Sequence, residues 1–399
     1  MKFIKVMTVG TIVLLISSQL GAFSAKTATR TKNTTNNLGQ AKDTVEHHSV
    51  SQLSYIREFQ LSNNTTYNGI PVGGFSGIDH NPKTDEWILI SDDSSDLAPA
   101  RYYTVKLDFS THTSNPIKFV NVITLKQPDG TRYPSSKEFE VNKVGSVPDF
   151  ESIRFDPLND NIWYTSEGDR KLGIMPFIRQ ARLDGSYLSE FKVPTQFQIE
   201  TNPDTGFRHN LTLEGSTFSP DGKFYFTSME GPLIQDGTVS SSSKGSFTRI
   251  IKYDRDGNNI AMYAYPLSKI PVKPNLGKKA EIGVSEILAI NNHELLVLER
   301  SGVETDEASY KNYIRIYKID MSKASNVNRL HSLQSGDFKP VSKELILDLN
   351  TLNSIPKLDN LEGMAWGPKF KNGNDTLVLV SDNNYNSSEI TQFLLFEVK

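Results

Sequence analysis

The sequence predicts an all-β fold, a β-propeller of five four-stranded blades. Three observations lead there. Apolar residues fall in short clustered runs instead of helical stripes, one motif returns five times, and a lone strand precedes the first copy while the last copy is one strand short.

The clustering comes first. Hydrophobic residues make up 37% of the 399, enough for a substantial core, and Val, Ile, Leu, Phe, Tyr and Trp gather in runs of strand length. The repeat is more specific. Each copy opens on an acidic or Ser/Gly pair and ends in an apolar strand capped by Ser-Asp, Ser-Glu or a similar pair. The copies run from Gly74-Phe75-Ser76-Gly77-Ile78 to Ser91-Asp92-Asp93, and from Asp149-Phe150-Glu151-Ser152-Ile153 to Ser166-Glu167-Gly168. They continue from Leu213-Glu214-Gly215-Ser216 to Met229-Glu230-Gly231, from Val284-Ser285-Glu286-Ile287 to Leu298-Glu299-Arg300, and from Leu361-Glu362-Gly363-Met364 to Ser381-Asp382-Asn383. Counted from Ser76, the copies lie 75, 63, 71 and 77 residues apart, a blade-scale period. Turn residues join the first two strands of a copy, as at Asn81-Pro82 and Ser219-Pro220-Asp221-Gly222.

Two further strands follow each pair, but the fifth copy has only Thr391 to Val398. The alternating run Tyr55 to Leu61 supplies its missing outer strand, and a blade shared by both chain ends leaves no open sheet edge. A sixth blade would need another copy, which is not found.

The acidic positions follow from the fold. First strands line the channel and second strands run antiparallel beside them, so first-strand starts and second-strand ends meet at one mouth. The starts contribute Glu151, Glu214 and Glu362, with Glu286 displaced by one residue. The ends contribute Asp92, Glu167, Glu299 and Asp382, with Glu230 displaced by one. These nine carboxylates are the expected metal ligands. They repel one another unless a cation intervenes, and an all-oxygen set suits Ca²⁺ better than a softer metal. Structural roles are the alternative: such acids also cap backbone amides or pair with Arg208 and Arg300.

The rest narrows the setting. Lys2, Lys5, the apolar run Val9 to Leu20 and Ala22-Phe23-Ser24 read as an export signal over residues 1–24, too short to span a bilayer. Residues 25–51 form a polar spacer, in which His47-His48 has no assigned role, and 52–399 form the propeller. There is no cysteine, which fits an exported bacterial chain with core enough to fold without disulfides. A net charge of −3 and no basic block exclude a nucleic-acid surface. No Gly-x-Ser-x-Gly elbow, phosphate loop or dinucleotide fingerprint occurs.

These motifs, in this order, resemble the phytase-like family described as having esterase-like activity, over nearly all of residues 52–399. One departure is Thr212, where the family tends to carry glycine. The resemblance implies an exported bacterial protein, secreted or periplasmic, that hydrolyses phosphate or carboxylic esters. The expected function is therefore a Ca²⁺-dependent hydrolase of a small anionic ester, acting as a monomer with no membrane span once its signal is removed. Glu214 or Glu362 would serve as general base, Arg300 would offset substrate charge, and His209 is a further proton-transfer candidate. The competing reading is a non-catalytic, calcium-stabilised propeller that binds a ligand or a cell-envelope partner.

Overall fold

The computed structural model describes residues 47–109, 116–202, 204–306, 309–334 and 336–399. The expected signal and the spacer up to residue 46 lie outside the described residues.

Strand β1 (Leu53–Leu61) is followed by a small hairpin, β2 (Thr66–Tyr67) and β3 (Ile70–Pro71). The first full blade holds β4 (Phe75–Asn81), β5 (Glu86–Ser91), β6 (Arg101–Leu107) and β7 (Ile117–Thr124). After helix α1 (Ser136–Asn142), the second holds β8 (Phe150–Phe155), β9 (Asn161–Ser166), β10 (Phe177–Arg182) and β11 (Tyr187–Phe191). A minor hairpin, β12 (Glu200–Thr201) and β13 (Asp204–Thr205), leads to the third: β14 (Leu213–Phe218), β15 (Tyr225–Met229), β16 (Ser246–Tyr253) and β17 (Asn259–Leu267). The fourth holds β18 (Gly283–Ala289), β19 (Glu294–Glu304), β20 (Tyr310–Asp320) and β21 (Ser342–Asp348). In the fifth, β22 (Asn360–Gly367), β23 (Asp375–Asp382) and β24 (Thr391–Val398) are joined by β1, which pairs antiparallel with β24 from Leu53 opposite Val398 to Leu61 opposite Thr391.

The strand chemistry follows radial position. Second strands such as β5 (Trp87-Ile88-Leu89-Ile90) are wholly buried and continuously apolar, whereas the outermost β7 alternates between core and solvent. Five core clusters lie one between each pair of neighbouring blades, and a small sixth, Phe139 with Val147 and Ile174, involves helix α1. Ile90 with Tyr164 belongs to the first and second blades, Phe191 with Tyr225 to the second and third, and Phe226 with Ile287 to the third and fourth. Leu298 with Leu361 belongs to the fourth and fifth, and Phe393 with Phe75 returns to the first. Five interfaces among five blades make a closed ring.

Every inner strand carries a β-bulge near its start, at Phe75/Gly77, Phe150/Ile153, Leu213/Ser216, Val284/Glu286 and Leu361/Gly363. Just beyond the bulges the channel is closed by one side chain. Arg154, on β8, donates through Nε to the Ser216 carbonyl (2.6 Å) and through Nη1 to those of Ile78 (2.7 Å) and Met364 (3.0 Å). Its Nη2 reaches the Ile287 carbonyl at 3.4 Å and pairs with Glu286 at 2.5 Å. One guanidinium thus touches the inner strand of all four other blades. Below it, at the end opposite the bulges, lies a cavity of about 430 Å³ walled by inner-strand ends and proline turns, including Trp366, Phe218 and Pro82.

His48 and Val50, inside the expected spacer, pack onto the propeller. Val50 is buried in a core cluster; His48 stacks on Trp366 with ring centroids 3.9 Å apart, and its Nδ1 lies 2.8 Å from Asp375. Among the described residues, no helix is long and apolar enough to cross a membrane.

Candidate functional site

Strand register defines the mouth. The residues paired across the top of each blade are Phe75 with Ser91, Phe150 with Ser166, Leu213 with Met229, Val284 with Glu299, and Leu361 with Ser381. One step beyond each pair on the inner strand lie Ser76, Glu151, Glu214, Ser285 and Glu362. One step beyond on the second strand lie Asp92, Glu167, Glu230, Arg300 and Asp382. Glu230 is therefore in register with the other second-strand acids, contrary to the expected displacement. The fourth blade contributes a serine and an arginine where the second and third contribute two acids each.

Two expected ligands do not belong to this ring. Glu286 follows the bulge residue Ser285, so the bulge moves it one step down the strand. There its Oε1 accepts from the Ser216 and Ile287 amides (3.0 and 2.8 Å), and it neutralises Arg154. Glu299 occupies the register position of Ser91 and Ser166, so the pleat turns it away from the channel. Its Oε1 accepts from the Tyr265 hydroxyl (2.8 Å), the Ser268 amide (3.2 Å) and Lys343 Nζ (2.5 Å).

Asp149 joins the mouth unforeseen. It immediately precedes β8, and its carboxyl lies within hydrogen-bonding reach of both Asp92 and Glu167. The signal was in the motif Asp149-Phe150-Glu151, but only this copy has an acid there. Among the described residues, the mouth then holds eight carboxylates, Asp92, Asp149, Glu151, Glu167, Glu214, Glu230, Glu362 and Asp382, against the single cation Arg300. Glu167, Glu214, Glu230 and Asp382 are each no more than 4% exposed.

Burial is the largest cause raising every one of these carboxyls above the ordinary range, and mutual repulsion reinforces it in most of them. Burial pushes Asp149 to about 6, with the charge of Asp169 adding to it. Burial also lifts Glu230, to about 8, against the opposing pull of Arg300. Burial alone would lower Arg300, yet Glu362, Glu230 and other acids hold it protonated beyond its normal range. Its Nη2 lies 3.4 Å from Glu230 and 3.5 Å from Glu362, while its buried Nε has no hydrogen-bond partner.

The ring is therefore polarised. On one side, two groups of carboxylates each bring oxygens within 4.8 Å of one another: Asp92, Asp149 and Glu151, and Glu151, Glu167 and Glu214. Adjacent buried carboxyls need protons or a cation between them, and the donors are all hard oxygens, so this half suits a divalent cation such as Ca²⁺. Part of the same chemistry is structural. Asp92 accepts from the Phe150 amide (3.2 Å) and Glu167 from the Thr212 amide (3.1 Å), each reaching the next blade's inner-strand start. Thr212 adds a hydroxyl bond to the Glu167 carbonyl (2.6 Å), and its backbone needs no positive φ. On the loops above, His209 Nδ1 lies 3.5 Å from Asp169, and both side chains are about one-third exposed or less. Arg208 is engaged elsewhere, donating to the Pro232 and Gly237 carbonyls.

The family model for phytase-like proteins, described as esterase-like activity of phytase, matches residues 70–385, more than half of the chain. The chain belongs to the phytase-like family. No curated protein matches this phytase-like chain. Among solved structures it is similar to an oxidoreductase (glucose dehydrogenase) from Thermus thermophilus, at 10% identity over 82% of this chain and 85% of that one, TM-score 0.34. It is also similar to the β-xylosidase RS223, at 9% identity over 82% and 93%, TM-score 0.41. A third is the catalytic domain of the Coprinopsis cinerea GH62 α-L-arabinofuranosidase, at 9% identity over 87% and 97%, TM-score 0.39. Nothing about the chemistry of the phytase-like mouth follows from likenesses this distant.

Proposed function

We propose that this phytase-like protein is a Ca²⁺-dependent hydrolase of small phosphate esters, and that the acidic mouth is its active site. One observation carries the reading: eight crowded carboxylates face a lone arginine whose Nε is free of hydrogen bonds. A bound divalent cation would neutralise the acids, draw in phosphoryl oxygens and lower the pKa of a water.

The chain's own groups do the remainder. Asp92, Asp149, Glu151, Glu167 and Glu214 are the residues that would hold the cation. Arg300, fixed by Glu230 and Glu362, offers its guanidinium to the phosphoryl group from the opposite side. Of the two expected bases, Glu362 is better placed than Glu214, because Glu214 belongs to a metal-binding group while Glu362 stands beside Arg300. His209, whose Nδ1 lies 3.5 Å from Asp169, is the donor available to a leaving oxygen. The chain is further read as exported, on the strength of Lys2, Lys5 and the run Val9–Leu20; a mature N-terminus at Ala25 would establish it.

Turnover of p-nitrophenyl phosphate, bis-p-nitrophenyl phosphate and p-nitrophenyl acetate, with Ca²⁺ and with chelator, tests the activity. Chelator-sensitive hydrolysis of a phosphate ester is expected. Loss of Ca²⁺ binding by calorimetry is expected in Glu214→Gln with Glu362→Gln, but not in the exposed pair Glu140→Gln with Asp256→Asn. No turnover on any substrate, together with a melting temperature raised by Ca²⁺, would favour the ligand-binding propeller instead.

A further inference from the structure

The distribution of exposed apolar side chains is uneven, and topology says where each lies. Inner strands begin at the acidic mouth and strands alternate in direction, so loops joining second to third strands and fourth to next inner strands all sit at that end. The loops and helix there carry Leu97 (52% exposed), Val141 (81%), Val144 (68%), Val239 (46%), Val272 (42%) and Leu276 (104%). Among the described residues, turns at the opposite end expose only Leu158 and Leu183 among large apolar residues.

Lysines interleave with the most prominent of these tips. Lys143 precedes Val144, Lys273 follows Val272, and Lys278 and Lys279 follow Leu276; Lys143, Lys273 and Lys279 are exposed. The six tips stand on four connections, and exposed lysines accompany the four on two of them, Val141 and Val144 with Lys143, and Val272 and Leu276 with Lys273 and Lys279; Leu97 and Val239 have no lysine beside them. A protein-binding hot spot is instead a packed cluster enriched in Trp, Tyr and Arg, whereas among the described residues Tyr310 (49%), at the start of β20, is the only aromatic among the large apolar side chains exposed at this end. Apolar tips flanked by basic residues are the chemistry of an interfacial membrane contact, the tips entering the headgroup boundary and the lysines meeting anionic lipid.

We infer that the mouth face of the propeller docks on an anionic lipid bilayer through the rim formed by Leu97, Val141, Val144, Val239, Val272 and Leu276. The mouth inside this rim is itself negative, so a ring holding a divalent cation would repel such a surface less than one without. Docking is therefore strengthened by Ca²⁺. The inference goes beyond the hydrolase reading and holds whether or not the mouth is catalytic.

Flotation of the purified chain with vesicles tests it, using phosphatidylcholine alone and phosphatidylcholine with about 30% phosphatidylglycerol to supply the anionic surface. The chain should float with the anionic vesicles, more in Ca²⁺ than in chelator. Val144→Asp with Leu276→Asp should reduce partitioning about tenfold or more, because two buried apolar side chains become charged. The equivalent change at the far end, Leu158→Asp with Leu183→Asp, should leave it unaltered. Calorimetric Ca²⁺ binding by both variants keeps a damaged mouth distinct from a lost rim. No flotation with either vesicle, or equal flotation of the two variants, overturns the inference. So does a rim variant that alters only self-association in gel filtration, since the rim would then serve a second copy of the chain.

Discussion

Arg300 stands where the other four second strands put an acid next in line, and that substitution gives the mouth a direction. Replacing it with glutamine removes the positive charge that faces eight carboxylates. Arg300→Gln should therefore bind Ca²⁺ more tightly while its kcat/KM on a phosphate ester falls about tenfold to a hundredfold, read from calorimetry and steady-state rates on the same preparation. An unchanged kcat/KM would remove Arg300 from the substrate site. Residues of this kind were only partly legible in the sequence. Matching Leu298-Glu299-Arg300 to Ser-Asp pairs sets acid against acid and selects Glu299, whereas hydrogen-bond register sets Glu299 against Ser91 and gives the mouth position to Arg300. Asp149 escaped notice for the opposite reason: its counterparts in the other copies are Gly74, Thr212, Gly283 and Asn360, so no repeat announces it.

At the level of strands, the bulge is the device that aims the mouth. By adding a residue at the same place in all five inner strands, it turns Glu151, Glu214 and Glu362 toward the opening while keeping the strands below in the channel wall. The inner strands then run so close that glycine is required in places. A Cβ on Gly215 would stand 2.5 Å from the Ile287 nitrogen and 2.7 Å from the Glu286 backbone, neither of which can yield as a flexible side chain would. Gly215→Ala should thus lower stability by about 1–3 kcal/mol in urea denaturation and weaken Ca²⁺ binding through the neighbouring Glu214. A midpoint equal to that of the parent would show that the strands separate readily. Paired strands and their turns were readable because alternation and Pro/Gly turns are local. The bulges were not, since a single inserted residue is invisible without the partner strand, and this alone explains the misplaced Glu286. Helix α1 was missed as well; its capping box at Ser135 and Glu138 is sound, but seven residues give too few turns for a periodic signal.

Taken whole, the metal-free ring carries a pH liability. The folded carboxyls sit above their unfolded values, so the native state holds protons that the unfolded chain has already released. Stability from such groups is complete below the unfolded range near pH 4 and declines as pH rises through the folded values, about 6 for Asp149 and about 8 for Glu230. The melting temperature in chelator should fall between pH 5 and 8, and saturating Ca²⁺ should flatten that slope. A metal-free profile that rises over this interval would mean the acids are not crowded in solution. The five-bladed ring itself was legible from end to end, because one count of motif copies fixes both blade number and the strand deficit at the C-terminus.

Arg154 gives that count a physical enforcer. Its donors are shared among carbonyls from four neighbours and carboxylates from two of them, Glu286 and Asp79, so its hydrogen bonds are complete only when every blade has arrived. A ring with a blade missing would strand a buried cation, and a ring with one too many would draw the carbonyls out of reach. The side chain acts as a tally of assembly: a local chemical test, at the centre of the molecule, that the two distant ends of the chain have met.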